Sequence, residues 1–191
     1  EETLAVTYGV SRGPVREALR ILERDSVVRL LANKGAHVTK LSIKEVNDIF
    51  EIRMVLAGAM VRRLCAAPQS VIMDFVPKVD QLERLAKAQD EGAAYVAASV
   101  ELALGMAQAS GNERLSEIMR SLARQSWRYT RLSLSQRERR EQSSKQWRML
   151  FNALVKGRAE EAGIAMEKLV DDSRCEAIHQ LEKINTKHDS Q

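Results

Sequence analysis

Aromatic residues are scarce in this 191-residue chain, at 4% of the composition, and the chain contains only three prolines. Its hydrophobic content of 45% therefore consists mostly of alanine, leucine, valine, methionine and isoleucine. These residues combine core volume with helix propensity, and proline is the strongest helix breaker. The composition predicts a mainly α-helical protein with at most one small sheet.

Cysteine and long apolar runs are also scarce. Cys65 and Cys175 are the only cysteines and lie far apart, which argues against a disulfide framework and indicates reduced, structural thiols. No apolar run approaches the ~18 residues that span a bilayer, and no signal peptide is visible. We therefore expect a cytoplasmic protein. Because the sequence does not begin with Met, we expect the natural chain to start further upstream.

Histidine is the third scarce residue type. His37, His179 and His188 form no cluster along the sequence. A helical-bundle enzyme would need carboxylate and histidine ligands that converge from facing helices, such as Glu-x-x-His pairs, and we expect none. There is no Gly-rich phosphate loop or nucleophile elbow. The chain is thus interpreted as a non-enzyme, and its net charge of +4 favours a polyanionic partner.

The first 40 residues have the pattern of a helix-turn-helix followed by a hairpin. Gly9 can end a short first helix, Ser11 can cap the next one, and Pro14 lies in that helix's first turn. Strand-like segments at 27–31 and 36–39 flank a glycine-containing turn. Apolar residues recur on one face of the second helix: Val15, Ala18, Leu19 and Leu22.

The opposite face of the second helix predicts contact with DNA. Arginines there can read guanine edges in the major groove or hold phosphates, and Gly13 allows close approach of the backbone. Lys34 and Gly35 lie at the hairpin tip, near the DNA backbone or minor groove. The alternative is a solvated face whose arginines pair with Glu17 or Glu23. The candidate DNA-binding residues are Ser11, Arg12, Gly13, Arg16, Arg20, Lys34 and Gly35.

From Ser42 the chain is expected to be helical nearly to its end, starting with a Ser42–Glu45 capping box. Such helices suit a compact bundle. We therefore expect two domains, a winged helix-turn-helix at 1–40 and an all-helical effector-binding and dimerisation domain at 42–188. Because the link between the two domains is short, we expect the orientation of the DNA-binding domain to depend on the conformation of the helical domain. The predicted helices are 42–66, 70–90, 92–109, 113–134, 137–156 and 159–184.

The head resembles that of the GntR family of bacterial transcriptional regulators. The motif comprises Leu4-Ala5 and the run Gly9-Val10-Ser11-Arg12-Gly13-Pro14-Val15-Arg16-Glu17-Ala18-Leu19, and Gly35 and Val38 fit the end of the family's wing. Gly13 replaces the common Thr, which removes a hydroxyl contact to phosphate. The resemblance implies a dimeric repressor in which Arg12, Arg16 and Gly35 contact operator DNA. It also implies that the first helix of the head is missing from this sequence.

The helical part, over roughly 43–182, resembles the FadR C-terminal (FCD) type of domain. The signatures are Arg53-Met54-Val55-Leu56 and Ala109-Ser110-Gly111-Asn112. Many such domains hold a divalent metal with one Asp and three His, and use it to grip a small carboxylate effector. The family's patterns place those four ligands on Ser99, Ala103, Trp147 and Leu169, none of which can bind the cation in the expected way. The resemblance therefore implies a lost metal site, and we predict no metal and no other cofactor.

Two interpretations of the lost site remain open. It is either a metal-free pocket for another effector, such as an organic acid or acyl compound, or a packed core. Arg53 lies on the apolar face of its helix, where a buried charge needs a partner, and Ala57 replaces the Glu that often accompanies it. Arg53 is either an anion anchor or a structural side chain that is paired or reaches the surface. The candidate effector-binding residues are Arg53, Ser99, Ala103, Trp147 and Leu169.

A stripe of arginines lies on one face of the predicted helix 113–134: Arg120, Arg124, Arg128 and Arg131. The stripe predicts a nearby anion, which is an acidic helix of a dimer partner, an acidic effector or solvent counterions. The leading hypothesis is a DNA-binding repressor of metabolic genes, controlled by a small-molecule effector. The alternative is a constitutive DNA-binding dimer with a degenerate regulatory domain.

Overall fold

The computed structural model describes residues 1–25, 27–31, 35–90 and 92–188, with side chains up to residue 186. The chain divides into two compact units, residues 1–42 and 43–191. Each unit has its own buried core.

The first unit is a winged helix-turn-helix, as predicted. Gly9, at φ 64°, ends the first helix in the left-handed conformation that glycine tolerates best. The two strands pair antiparallel, with Val28 opposite Val38. Ala5, Val15, Leu19 and Val28 form the buried core of this unit. Its elements are α1 (Glu2–Tyr8), α2 (Arg12–Arg24), β1 (Val28–Leu31) and β2 (Gly35–Val38).

Two local predictions for α2 are wrong. Ala18 is exposed and takes no part in the core, because α2 buries only the narrow Val15–Leu19 stripe. Ser11 does precede the helix with an extended backbone, but its side chain makes no capping hydrogen bond. The third residue of the helix, whose N–H a cap often binds, is Pro14, and proline has no N–H to donate.

The second unit is an all-helical bundle, which confirms the mainly α prediction. The long C-terminal helix α9 packs along α3, α7 and α8, and α5 packs against α6 and α8. Among the described residues, no helix is both long and apolar enough to cross a membrane. The helices are α3 (Ile43–Leu64), α4 (Gln69–Met73), α5 (Val76–Ala86), α6 (Ala93–Ala109), α7 (Glu113–Ser133), α8 (Arg137–Val155) and α9 (Ala159–His188).

The prediction of one helix over 70–90 is wrong, because that segment contains the separate helices α4 and α5. Pro77 lies in the first turn of α5. In a continuous helix Pro77 would have to donate to the carbonyl of Met73, and it has no N–H. The break places Phe75 inside the bundle, where its ring centroid lies 6.3 Å from that of Phe151.

Arg140 holds the turn between α7 and α8 against the end of α5. Its side chain is only 1% exposed and donates to four backbone carbonyls. Two of these follow α5 and two follow α7, where helix ends leave carbonyls without intrahelical partners. Arg140 therefore acts as a shared cap for two helices. The acceptors are the carbonyls of Ala88 and Asp90 (both 3.0 Å), Leu134 (3.3 Å) and Ser135 (2.9 Å).

Candidate functional site

The outward face of α2 carries a stripe of cations. Arg12, Arg16 and Arg20 follow one another at four-residue intervals, so they lie on one side of the helix, and all three are exposed. Val15 and Leu19 point the other way into the core of the head. The packing of α2 thus fixes which side faces out and aligns three guanidinium groups along it.

Two of these arginines pair with acids at the very start of the chain, Glu1 and Glu2, and not with the acids that the sequence suggested. Arg12 bonds the Glu2 carboxylate, and Arg16 donates through Nε and Nη2 to Oε2 of Glu1 at 3.2 and 3.1 Å. The Arg16 hydrogen bond holds the pKa of the Glu1 carboxyl below its usual value. Glu23 instead accepts from the backbone N–H of Leu30 at 2.9 Å. Exposed ion pairs of this kind are weak, so a phosphate can replace the carboxylate partners.

The remaining DNA candidates lie at the start of α2 and at the wing. Ser11 is exposed, and its hydroxyl is not used as a cap. An added Cβ at Gly13 would have the Ser11 Oγ as its nearest neighbour at 4.0 Å, so internal packing does not require glycine there. Gly35 opens β2 at φ 78° and is exposed. Lys34 lies outside the described residues.

The five candidate effector residues are brought together around one cavity in the bundle. The cavity volume is about 50 Å³, which exceeds the ~10–15 Å³ that one water molecule needs. The space between these residues is therefore neither filled completely nor large. The predicted residues Arg53, Ser99, Ala103, Trp147 and Leu169 are joined in the lining by Thr130, Leu134, Ser143, Met166 and Ser173, among others.

The residues at the four family ligand positions do not fit a divalent cation. The Ser99 hydroxyl donates to the Val96 carbonyl at 2.9 Å, and the other three positions offer only alanine, tryptophan and leucine. One Glu-x-x-His spacing, which our sequence interpretation passed over, does occur at Glu176 and His179 of α9. Glu176 accepts a hydrogen bond from Gln180 at 2.7 Å. Within the described part of the chain, no three His, Cys, Asp or Glu side chains are grouped to hold a metal.

Arg53 reaches the cavity from α3 with only neutral partners. Its Nη1 donates to Ser126 Oγ at 2.8 Å and to Thr130 Oγ1 at 3.1 Å, and its guanidinium carbon lies 4.7 Å from the Phe50 ring centroid. Burial lowers the pKa of Arg53 to about 10, so it stays charged at neutral pH. In the ranges the structure describes, no carboxylate pairs with Arg53. Among these described residues, its hydrogen-bond partners are two neutral hydroxyls and supply no negative charge.

A second buried arginine of the bundle was not predicted from the sequence. Arg139 of α8 is only 8% exposed, and its Nη1 and Nη2 have no hydrogen-bond partner. It lies within the polar run 135–142, which has the composition of a solvated surface. The available signal was the four-residue spacing of Arg139, Ser143 and Trp147, which places them on one face of α8.

The arginine stripe of α7 lies mostly on the surface. Arg120, Arg128 and Arg131 are exposed, whereas Arg124 is half-buried. The predicted anionic neighbour of this stripe stays a prediction. The two aromatic residues beside it differ, since Tyr129 is buried and Trp127 is 40% exposed.

Two family models match the two parts of the chain. Residues 1–38 match the bacterial regulatory proteins of the gntR family, and residues 48–172, more than half of the chain, match the FCD domain. The HTH-type transcriptional regulator YdhC of Bacillus subtilis, described as uncharacterized, is 35% identical over 92 residues, 48% of this chain and 40% of its own. The gluconate operon transcriptional repressor of the same organism is 36% identical over 85 residues, 44% of this chain and 32% of its own. The matches therefore span less than half the length of these curated relatives.

A solved structure supports the same assignment at the level of the fold. The structure of E. coli McbR/YncC superposes with a TM-score of 0.85 over 94% of this chain and 86% of that one, at 16% identity. The family resemblance predicted from the sequence is confirmed in both parts, and membership of a family of regulatory proteins agrees with the non-enzyme interpretation. The chain belongs to the GntR family of bacterial regulatory proteins and combines its winged helix-turn-helix head with an FCD domain.

Proposed function

We propose that this protein is a DNA-binding transcriptional repressor of metabolic genes whose affinity for DNA is controlled by a small organic anion. The observation that carries the proposal is the stripe of Arg12, Arg16 and Arg20 on the outward face of α2, on the head of a regulator family. The name of the gluconate operon repressor supports repression of a metabolic operon. Since the target is chromosomal DNA, the protein acts in the cytoplasm.

The N-terminal half of α2 is the part that enters the major groove. Arg16, and Arg20 one turn further along α2, reach base edges in this proposal, while Arg12 and the hydroxyl of Ser11, which precedes the helix, hold phosphates. On binding, Arg12 and Arg16 exchange the carboxylates of Glu2 and Glu1 for DNA acceptors. Because those ion pairs are exposed, the exchange costs little.

Dimerisation completes the DNA-binding unit. A two-fold symmetric dimer places two copies of α2 in successive major grooves of a pseudo-palindromic operator. The exposed apolar side chains of Ile52 and Val55 on α3, at 51% and 62% exposure, support a protein-protein contact of the bundle.

The effector site is the cavity beside Arg53. A carboxylate bound there supplies the negative charge that Ser126 and Thr130 lack. Ligand pockets are usually ~300 Å³ or larger, so a cavity of about 50 Å³ favours a small organic acid over an acyl-CoA. Only a few residues link β2 to α3, which couples a change in the bundle to the head.

The DNA half of the proposal is tested by fluorescence anisotropy on a duplex selected by the wild-type protein from random sequences. Arg16→Ala should weaken binding by at least ~1 kcal/mol, or about fivefold, with an unchanged circular dichroism spectrum. The matched control is Arg137→Ala, an exposed arginine of the bundle that pairs with Glu141. A folded Arg16→Ala protein with wild-type affinity would refute the role of α2.

The effector half is tested by a thermal-shift screen of small organic acids. A ligand at ~100 times its Kd adds ~2.7 kcal/mol of stability, which raises the melting temperature visibly. The shift should disappear in Arg53→Gln. No shift with any acid would favour the constitutive DNA-binding dimer.

A further inference from the structure

The excess positive charge of the chain is concentrated in α7 and the start of α8. No Asp or Glu occurs between Glu117 and Glu138, whereas five arginines do. These five positive charges exceed the net charge of the whole chain, +4, so the rest of the chain is close to neutral. Charge of one sign that is concentrated in one segment creates a local field that attracts an anionic partner. The arginines are Arg120, Arg124, Arg128, Arg131 and Arg137.

Two arginines of this segment lack the acidic partners that other exposed arginines of the bundle have. Arg114, Arg137 and Arg158 each pair with a glutamate three or four residues further along their helix. Arg120 and Arg128 are also exposed, but neither forms an ion pair or hydrogen bond with any residue that the structure describes. Their guanidinium groups are therefore available to a partner outside the chain.

An exposed aromatic side chain lies among these cations. Trp127 follows Arg120 by seven residues and precedes Arg131 by four, a spacing that places all three on one side of α7. Trp127 is 40% exposed, whereas Trp147 is 2% exposed. Tryptophan is enriched at contact surfaces, and beside cations its ring can pack against the sugars and bases of a nucleic acid. The basic face of α7 consists of Arg120, Arg124, Trp127, Arg128 and Arg131.

We propose that the basic face of α7 is a second DNA-contacting surface, which binds the phosphate backbone in addition to the contacts that α2 makes. The inference rests on the proposed DNA-binding function and adds phosphate contacts to it. Arg120 and Arg131 are about 16 Å apart along the helix axis, a length over which one DNA strand presents about five phosphates. Guanidinium groups bind phosphate oxygens through charge-assisted hydrogen bonds, and Trp127 packs against the same backbone. DNA is favoured over an acidic protein segment because it offers a continuous row of negative charges to a row of arginines.

The test is fluorescence anisotropy of the full chain over a range of salt concentrations, on the selected operator duplex and on an unrelated duplex of the same length. The double variant Arg120→Gln and Arg128→Gln removes two phosphate contacts. Each contact contributes about 0.9 to the slope of log K against log salt, so the slope should become shallower by about 2 for each protomer that contacts the duplex. Binding should weaken about tenfold, and equally on both duplexes, since phosphate contacts carry no sequence information. Arg16→Ala should instead weaken binding to the operator more than binding to the unrelated duplex.

The double variant Arg84→Gln and Lys156→Gln is the matched control. It also removes two positive charges from exposed side chains that pair with no described residue, and both lie outside α7. A general effect of net charge would change the salt slope equally in both double variants, whereas contact through α7 changes it only in the first. Glutamine keeps the helix propensity of α7, and removing like charges from one face should leave the melting temperature unchanged or higher.

Trp127 supplies a direct readout of contact. Bound DNA should protect Trp127 from quenching by acrylamide. In Trp127→Phe only the buried Trp147 emits, so the effect of DNA on quenching should disappear.

Four results would overturn the inference. If the salt slope is unchanged in the α7 double variant, or changes equally in its control, this face binds no phosphates, while the role of α2 stands as long as Arg16→Ala weakens operator binding. If light scattering shows that the α7 variant changes the oligomeric state, the face is a contact between copies of the chain. A lower melting temperature of that variant would make these arginines structural. If the wild-type chain binds neither duplex, the proposed DNA-binding function fails together with this inference.

Discussion

Replacing Arg140 by alanine removes the hydrogen-bond donor shared by backbone carbonyls at the ends of two helices. The guanidinium donates to the carbonyls of Ala88, Asp90, Leu134 and Ser135 over 2.9–3.3 Å. Both the α5 end and the α7 end lose their shared donor at once. The substitution therefore tests whether a buried arginine can act as a helix cap.

The structure sets the magnitude of this effect. Hydrogen bonds to charged groups contribute about 1.5–3 kcal/mol each, so four would give an upper limit of ~6–12 kcal/mol. The desolvation of the guanidinium offsets a large part of that sum. Asp90 is exposed, so water can take over its carbonyl, whereas Leu134 is buried and its carbonyl stays unpaired. We expect a loss of about 3 kcal/mol, within the ~3–5 kcal/mol seen when one partner of a buried charged contact is removed.

Urea denaturation followed by circular dichroism measures the loss. With a slope of about 1–3 kcal/mol per M, the midpoint should fall by about 1 M or more. Arg137→Ala, whose side chain is 43% exposed, is the control and should stay within about 0.5 kcal/mol of wild type. A loss below about 1 kcal/mol for Arg140→Ala would mean that water satisfies all four carbonyls, and the capping role would be wrong.

Three further predictions concern other positions. Gly92→Ala should destabilise the fold by about 2 kcal/mol, because the φ of Gly92 is 75° and the new Cβ would lie 2.7 Å from the guanidinium of Arg140. Gly111→Ala, at φ 72° with no neighbour within 4 Å, should cost only about 1 kcal/mol. Thermal melts measure both losses, and equal losses would contradict the clash with Arg140. Gly13→Thr should leave the fold intact and strengthen DNA binding about fivefold, because the new hydroxyl adds one contact to a phosphate. Weaker binding of this variant in the anisotropy assay would disprove the prediction. Burial raises the pKa of the Cys65 thiol, so a smaller fraction of it is thiolate at a given pH. Cys65 should therefore react with iodoacetamide more slowly than the exposed Cys175 in a mass-spectrometric time course. Faster reaction of Cys65 would contradict this prediction.

The head could be predicted from the sequence because its signals are local. Gly9 ends one helix through its own backbone conformation, and the Val15–Leu19 spacing fixes which side of α2 is buried. The partners of Arg12 and Arg16 could not be found in this way. They depend on how α1 crosses α2, and the sequence suggested acids on α2 itself. The Ser11 cap failed for a local reason that was present in the sequence, since Pro14 removes the required N–H.

In the bundle, sequence patterns predicted which residues lie together but not the size of the cavity between them. Motif spacing placed Ser99, Ala103, Trp147 and Leu169 together, and they do line one cavity. The size of that cavity depends on how the five helices α3, α6, α7, α8 and α9 pack, and it could not be inferred from the sequence. Adjacent residues on a helix point about 100° apart, so Arg139 and Arg140 meet different neighbours although their sequence context is nearly the same.

The buried and half-buried arginines of the bundle differ in the groups that accept hydrogen bonds from them. Arg62 and Arg148, which are half-buried, are each bound by two carboxylates. Arg140, fully buried, has backbone carbonyls. In the part of the chain that the structure describes, Arg53 donates to the hydroxyls of Ser126 and Thr130, and the Nη1 and Nη2 of Arg139 have no hydrogen-bond partner. On the proposed effector role, a carboxylate bound beside Arg53 adds a charged partner to the Ser126 and Thr130 hydroxyls and thereby stabilises the folded state.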